Sequence, residues 1–242
     1  MKDVNKLLET KILLSTENIH VFLLDYNLYN YDAFFSYLSE EEIERANKLK
    51  IEEKKKQFII TRSLLRKLLS NALNKSATEI NFSYGENKKP YIEEKYNNKS
   101  VEFNISHSCN YGLIAITLET SIGVDIEKIN QEIDFESLSN RFFSEKEKLE
   151  LNHLDDNKKI DAFYRGWVRK ESFIKAIGKG IAFGLDRFSV SLNENKFSTV
   201  DVELASAEEW YCYDLMEIKN YKTALVSNKP GNNKKQNIIF SQ

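Results

Sequence analysis

The sequence predicts an α+β fold arranged as two similar halves, residues 1–120 and 121–242. Two observations point there. Hydrophobic periodicity reads strand, helices, then strands up to Thr120, and the same order is read again from Ile122 onward. The halves nearly match in length, and a fragment of the first, NFSYGENK (81–88), is echoed in the second by FSVSLNENK (188–196).

With 41% apolar residues, a chain of 242 residues can bury a proper core. Lys and Arg number 35 against 37 Asp and Glu, so a net charge of -2 gives no global attraction to nucleic acid or to a membrane surface. No apolar run is long enough to span a bilayer, and residues 1–16 mix charges with leucines and do not read as a signal peptide. Cys109 and Cys212 are not spaced as metal ligands. A cytoplasmic protein with free thiols is the expectation.

In the first half, NIHVFLLDY (18–26) reads as a strand. Ser39 followed by Glu42 forms a capping box that opens a helical region, broken near Ile51 and running to about Leu73. Its second part buries Phe58, Leu65, Leu68, Leu69 and Ala72 and leaves Arg62 and Arg66 on the opposite side, a basic face that by itself reads as solvated. EINFSY (79–84) reads as a strand, 85–89 as a turn, 90–92 as a short extended piece and YNNKS (96–100) as a polar loop. VEFNISH (101–107) alternates Val101, Phe103 and Ile105 against Glu102, Asn104 and Ser106, and ends in Ser106-His107-Ser108. Tyr111–Leu118 is apolar on both faces and is expected at the centre of a sheet.

The second half opens on a strand, 122–129, whose Ile122, Val124 and Ile126 face one way and Gly123, Asp125 and Glu127 the other. Two like charges on one face are either simply wet or held by something positive between them. Ile129, Ile133, Phe135 and Leu138 read chiefly as core, and helices follow at about 137–151, with Ser144 and Glu147 as a second capping box, and 158–178. In the longer helix Phe163, Trp167, Ile174 and Ile177 form an apolar stripe. Lys170, Glu171 and Lys175 lie on an adjoining face, and the i, i+4 spacing of Glu171 and Lys175 equally fits a surface ion pair. Glu171 together with Asp125 and Glu127 would make an all-oxygen set of the kind Mg²⁺ takes, with positions left for water and phosphate. Strands are expected near 187–192, 199–204, 210–218 and 222–227, then a polar loop, KPGNNKK (229–235), and a frayed end at 237–242.

IGVDIEK (122–128), preceded by FNISHS (103–108) and followed by WVRKESFIKAIGKG (167–180), resembles the signatures of the Sfp-type 4'-phosphopantetheinyl transferases. Those signatures are a strand of the form (I/V)G(I/V)D(I/V)E and a helix of the form WxxKE(A/S)xxK, and the resemblance runs over about residues 39–192. It implies a pseudo-twofold pair of α+β halves, a pseudodimeric monomer with coenzyme A in the cleft between them. The implied reaction transfers the 4'-phosphopantetheine arm of coenzyme A to the serine of an apo acyl- or peptidyl-carrier protein of polyketide, nonribosomal-peptide or siderophore synthesis.

In the resemblance, Asp125, Glu127 and Glu171 hold Mg²⁺, and Asp125, Glu171 and Lys175 are the catalytic group. Lys175 would hydrogen-bond a phosphate oxygen or protonate the leaving group, while Glu171 or a metal-bound water would take the serine proton. Arg45, Lys48 and Arg62 would approach the 3'-phosphate and diphosphate. Lys89 would replace the lysine of the family's G-K-P, although the glycine is missing and two residues are inserted. Ser106 and His107 would bind coenzyme A, His107 at the 3'-phosphate. Lys170 falls to helix packing or coenzyme contact, and residues 130–143 to carrier docking. Two other readings stay open: a homologue that binds coenzyme A or carrier without catalysis, and a nucleic-acid or anionic-surface binder using the basic helix around 54–67. Every expected metal and lysine position is filled, which argues against the first. The net charge and the lack of an aromatic-basic platform argue against the second.

Overall fold

The computed structural model describes residues 12, 14–85, 87, 89–93, 96, 97, 100–195, 197–202, 209–229 and 237–241. Its strands form two four-stranded sheets. One contains β1 (Asn18–Asp25), β4 (Val101–Ser108), β5 (Tyr111–Leu118) and β10 (Asn237–Ser241) in the order β10-β1-β5-β4. The other contains β6 (Ile122–Lys128), β7 (Phe197–Thr199), β8 (Tyr211–Asp214) and β9 (Tyr221–Ser227) in the order β6-β9-β8-β7. A small hairpin, β2 (Ser83–Tyr84) with β3 (Pro90–Tyr91), stands apart.

The plan repeats. In each half a first strand leads through shorter helical pieces into a 22-residue helix, α2 (Glu52–Leu73) or α5 (Asp156–Ile177), and then into an antiparallel hairpin whose later strand pairs back with the first. The resulting orders, β1-β5-β4 and β6-β9-β8, correspond strand for strand. The two sheets face each other across a shared core of Ile19, Val21, Leu113 and Ala115 against Ile122, Val124, Ile126 and Leu225. On its outer face the first sheet packs Phe22, Leu24, Ile114 and Ile116 against Ile60, Leu64, Leu65 and Leu68 of α2. The second sheet is covered by α5 through Phe173, Ile174 and Ala176. Strand β5, covered on both faces, is apolar on both, as its composition requires.

Several elements depart from the sequence expectation. The region 137–151 is two helices, α3 (Phe135–Phe142) and α4 (Glu145–Asn152), because Phe143 takes an extended conformation and Ser144 begins a new capping box with Glu147. Residues 187–192 make only an isolated bridge, Ser189 with Asp201, and the 79–84 stretch is extended as strand only at Ser83–Tyr84. The expected frayed end is instead β10, which runs parallel to β1 and joins the end of the chain to the first half's sheet. Most of the 229–235 loop, and residues 203 and 204 of the expected strand, lie outside the described residues. Among the described residues no helix is long and apolar enough to cross a membrane.

Candidate active site

The site lies where the edge strands β4 and β6 run side by side. Side chains, not a backbone ladder, join them. Val124 N donates to Asn104 Oδ1 at 3.0 Å, Ser106 Oγ donates to Asp125 Oδ1 at 2.7 Å, and Ser108 Oγ donates to Glu127 Oε2 at 2.9 Å. Alternation along β4 puts Phe103 into the first core and Asn104, Ser106 and Ser108 toward β6.

Helix α5 closes the other side of β6, and a glycine permits the approach. A Cβ at Gly123 would lie 2.0 Å from Ser172 O and 2.5 Å from Ala176 N, so any side chain there would push helix and strand apart. The close packing brings Glu171 and Lys175 over Asp125. Lys175 Nζ donates to Asp125 Oδ1 at 2.6 Å, to Ser106 Oγ at 2.9 Å and to Val124 O at 3.3 Å. Lys175 thus spans from helix to strand, and the i, i+4 pair with Glu171 is not what holds it.

Three carboxylates then share a poorly solvated space. Glu171 is pushed up to about 7 by burial and by the Asp125 charge, with Lys175 offsetting part of the rise. Glu127 is pushed up to about 6 by the same two causes, and its hydrogen bond from Ser108 pulls the other way. Asp125 is 2% exposed, and its Oδ2, like Glu171 Oε1, is buried with no hydrogen-bond partner. Orphaned carboxylate oxygens in a cleft are costly unless a cation takes them. Among the described residues no three His, Cys, Asp or Glu side chains form a ready-made metal cage. The set fits a hard divalent cation that completes its shell with water and phosphate oxygens, which is how Mg²⁺ is commonly held.

These residues open into a cleft of about 730 Å³ between the halves, also lined by Arg45, Arg62, Tyr84, Asn87, Lys89, Ser106 and His107. His107, exposed at the end of β4, is held below its ordinary pKa by the protein that displaces water around it and then by Lys54 and Lys175. The basic face of α2 is not solvated: Arg62 and Arg66 are both buried against Glu42, on the helix α1 (Glu40–Lys48) that packs beside them. Arg62 Nε lies 3.3 Å from Glu42 Oε1 and its guanidinium stacks 4.7 Å over Phe82, yet Nη1 has no partner. Lys48 is 79% exposed, sits 3.7 Å from Glu44 and does not line the cleft.

Lys89 lines the cleft wall, but its ammonium donates to Ala176 O at 3.2 Å and Ile122 O at 3.4 Å, capping the end of α5 and tying the first half's hairpin to the second half. Asn87 does the same for Gly178 O at 3.0 Å. Lys170 points away from the cleft. It is fully buried on Glu147 at 2.7 Å and donates to Leu185 O and Phe188 O at 2.8 and 2.7 Å, so its role is helix packing. Ile129, Ile133, Phe135 and Leu138 are partly buried against the Phe143–Phe163 core. A groove of about 820 Å³ lies near Lys146 and Trp210, and none of the motif residues opens into it.

Ser108, Asn104 and Asn87 escaped the sequence reading, although Ser108 was visible as the second serine on the inward face of β4. Residues 121–226 match the 4'-phosphopantetheinyl transferase superfamily model, and residues 27–119 match the model of a 4'-phosphopantetheinyl transferase N-terminal region. The chain is 32% identical to 4'-phosphopantetheinyl transferase HetI of Nostoc sp., over 78% of this chain and 77% of that one. It is 34% identical to 4'-phosphopantetheinyl transferase Sfp of Bacillus subtilis, over 79% and 80%. It is 29% identical to the mouse L-aminoadipate-semialdehyde dehydrogenase-phosphopantetheinyl transferase, over 84% and 71%. The chain belongs to the 4'-phosphopantetheinyl transferase superfamily.

As a phosphopantetheinyl transferase, the protein moves phosphopantetheine to carrier proteins. The strain of its carboxylate cluster has a measurable sign. Between an ordinary 4.5 and about 7, folded Glu171 holds more proton than the unfolded chain, so its contribution makes the metal-free protein less stable as pH rises through that window. Glu171→Gln is therefore expected to raise the stability of the transferase in EDTA by about 1–3 kcal/mol at pH 8 and to leave it nearly unchanged at pH 5. Thermal melts of both proteins at the two pH values check this, and an equal shift at both would contradict it.

Proposed function

We propose that this transferase takes the phosphopantetheine arm from coenzyme A and places it on the serine of an apo acyl- or peptidyl-carrier protein, with Mg²⁺ in the cleft. The observation that carries the reading is the convergence of Asp125, Glu127, Glu171 and Lys175 beside the basic wall of one cleft. The same reading makes the chain a single-chain pseudodimer with its boundary near Thr120, supported by the matching strand orders on either side. It also places the enzyme in the cytoplasm, where coenzyme A and the carriers of polyketide, nonribosomal-peptide or siderophore synthesis meet.

The serine oxygen attacks the β-phosphorus of the coenzyme diphosphate. The bond from that phosphorus to the bridging oxygen breaks, and adenosine 3',5'-bisphosphate leaves with the electron pair. Two obstacles stand in the way: the phosphorus is ringed by negative oxygens, and the hydroxyl is a weak nucleophile. Asp125, Glu127 and Glu171 would hold Mg²⁺, which would neutralise the diphosphate charge. Glu171, which lines the cleft beside Asp125 and Lys175, is the side chain placed to accept the serine proton. Lys175, whose three N–H groups serve Asp125, Ser106 and Val124 O, exchanges the longest of these bonds, to Val124 O at 3.3 Å, for one to a phosphate oxygen of the breaking bond. Arg45, His107 and the free Nη1 of Arg62 receive the 3'-phosphate and outer diphosphate oxygens, while Lys48 adds only a distant charge.

Chromatography of the nucleotide product tests this. With coenzyme A, an apo carrier protein and Mg²⁺, adenosine 3',5'-bisphosphate should accumulate, and EDTA should stop it. Release at an unchanged rate in EDTA would overturn the metal reading.

A further inference from the structure

The two serines of β4 are held in a way that the coenzyme-binding role does not account for. Each hydroxyl oxygen accepts from a donor of the second half: Lys175 Nζ donates to Ser106 Oγ at 2.9 Å, and the backbone N–H of Lys128 donates to Ser108 Oγ at 3.1 Å. Each hydroxyl proton is thereby directed at one oxygen of one carboxylate, Asp125 Oδ1 at 2.7 Å and Glu127 Oε2 at 2.9 Å. Asp125 Oδ2 stays without a hydrogen bond. The arrangement is repeated two residues apart along parallel edges, and both serines come from the first half while both carboxylates come from the second.

We infer that Ser106 and Ser108 are positioning residues that engage one oxygen of Asp125 and of Glu127, so that each carboxylate meets a cation through its other oxygen alone and the site favours Mg²⁺ over Ca²⁺. The physical basis is the difference between the two ions. Mg²⁺ is small and octahedral and takes single oxygens, whereas Ca²⁺ accepts six to eight ligands and readily takes both oxygens of a carboxylate. A carboxylate with one oxygen committed to a serine is poorly placed for bidentate binding. Freeing Glu127 removes that restriction. The inference rests on the proposed metal site, and deepens it.

The test measures metal binding, not turnover. Mg²⁺ and Ca²⁺ are titrated calorimetrically into the full-length wild type, Ser108→Ala and Ser108→Thr, each with saturating coenzyme A. In Ser108→Ala, Mg²⁺ affinity should fall about tenfold while Ca²⁺ affinity holds or rises, so the preference for Mg²⁺ drops; losses of this order are usual when a ligand's supporting hydrogen bond is removed. Ser108→Thr keeps the hydroxyl and should restore the preference. Ser106→Ala, which leaves Ser108 in place, should shift the preference in the same direction and guards against one variant failing to fold. Equal losses for both ions, or an unchanged ratio, would overturn the serine inference while leaving the metal site standing. No Mg²⁺ binding to the wild type would overturn both.

Discussion

Asp125→Ala is expected to lower phosphopantetheine transfer on the order of 10³-fold, the scale of losing a principal electrostatic element of a phosphoryl-transfer site. Asp125 is the hub of the cluster. It accepts hydrogen bonds from Ser106 and from Lys175, and its charge helps to raise both Glu127 and Glu171. Without it each glutamate loses the repulsion of the Asp125 charge and ionises at lower pH, so charge repulsion should not make the metal-free variant less stable than wild type. Coenzyme A binding to the basic wall should persist within about tenfold, because Arg45, Arg62 and His107 are untouched. Steady-state rates, with calorimetry for coenzyme A, separate the two effects. A variant that keeps transfer within tenfold of wild type would remove Asp125 from the chemistry.

Lys170→Met is expected to destabilise the fold by about 3–5 kcal/mol, the usual cost of breaking a buried ion pair from one side. Lys170 and Glu147 are both 0% exposed, and Glu147 also accepts from Ser144 N and Val190 N. Burial pushes Glu147 up and Lys170 down, and their mutual attraction opposes both shifts. Removing the ammonium leaves a buried carboxylate with only backbone partners. The double variant Lys170→Met/Glu147→Gln retains an acceptor for those N–H groups and removes both charges, so it should recover much of the loss. Denaturant melts of the two variants measure it. Lys170→Met as stable as wild type, or a double variant no better than the single, would contradict this account of how the residue beside Glu171 is fixed.

Much of the site was legible because strands and helices have fixed periods. Asp125 and Glu127 two apart on a strand must share a face, and Glu171 and Lys175 four apart on a helix must stand together. What periodicity cannot give is which neighbouring element that face meets. Lys175 finds its partner on β6 and not on its own helix, and Arg62 and Arg66 are buried because Glu42 of α1 packs against them, a contact between separate helices. Lys89 lines the cleft, but its ammonium is held by Ala176 O and Ile122 O rather than free for a ligand, a tertiary placement with no local signature. The repeat of plan was visible as element order. The parallel pairing of β10 with β1 was not, since a short strand at a chain end has little alternation to read and gains its order from a distant partner.

The most direct measurement is the intact mass of an apo carrier protein after incubation with this transferase, coenzyme A and Mg²⁺, beside the same reaction with Asp125→Ala. The carrier should gain the mass of one phosphopantetheine with the wild type, at its acceptor serine, and remain unmodified over the same time with the variant. An equal gain with both proteins would contradict the claim that the carboxylate cluster between the two halves performs the transfer.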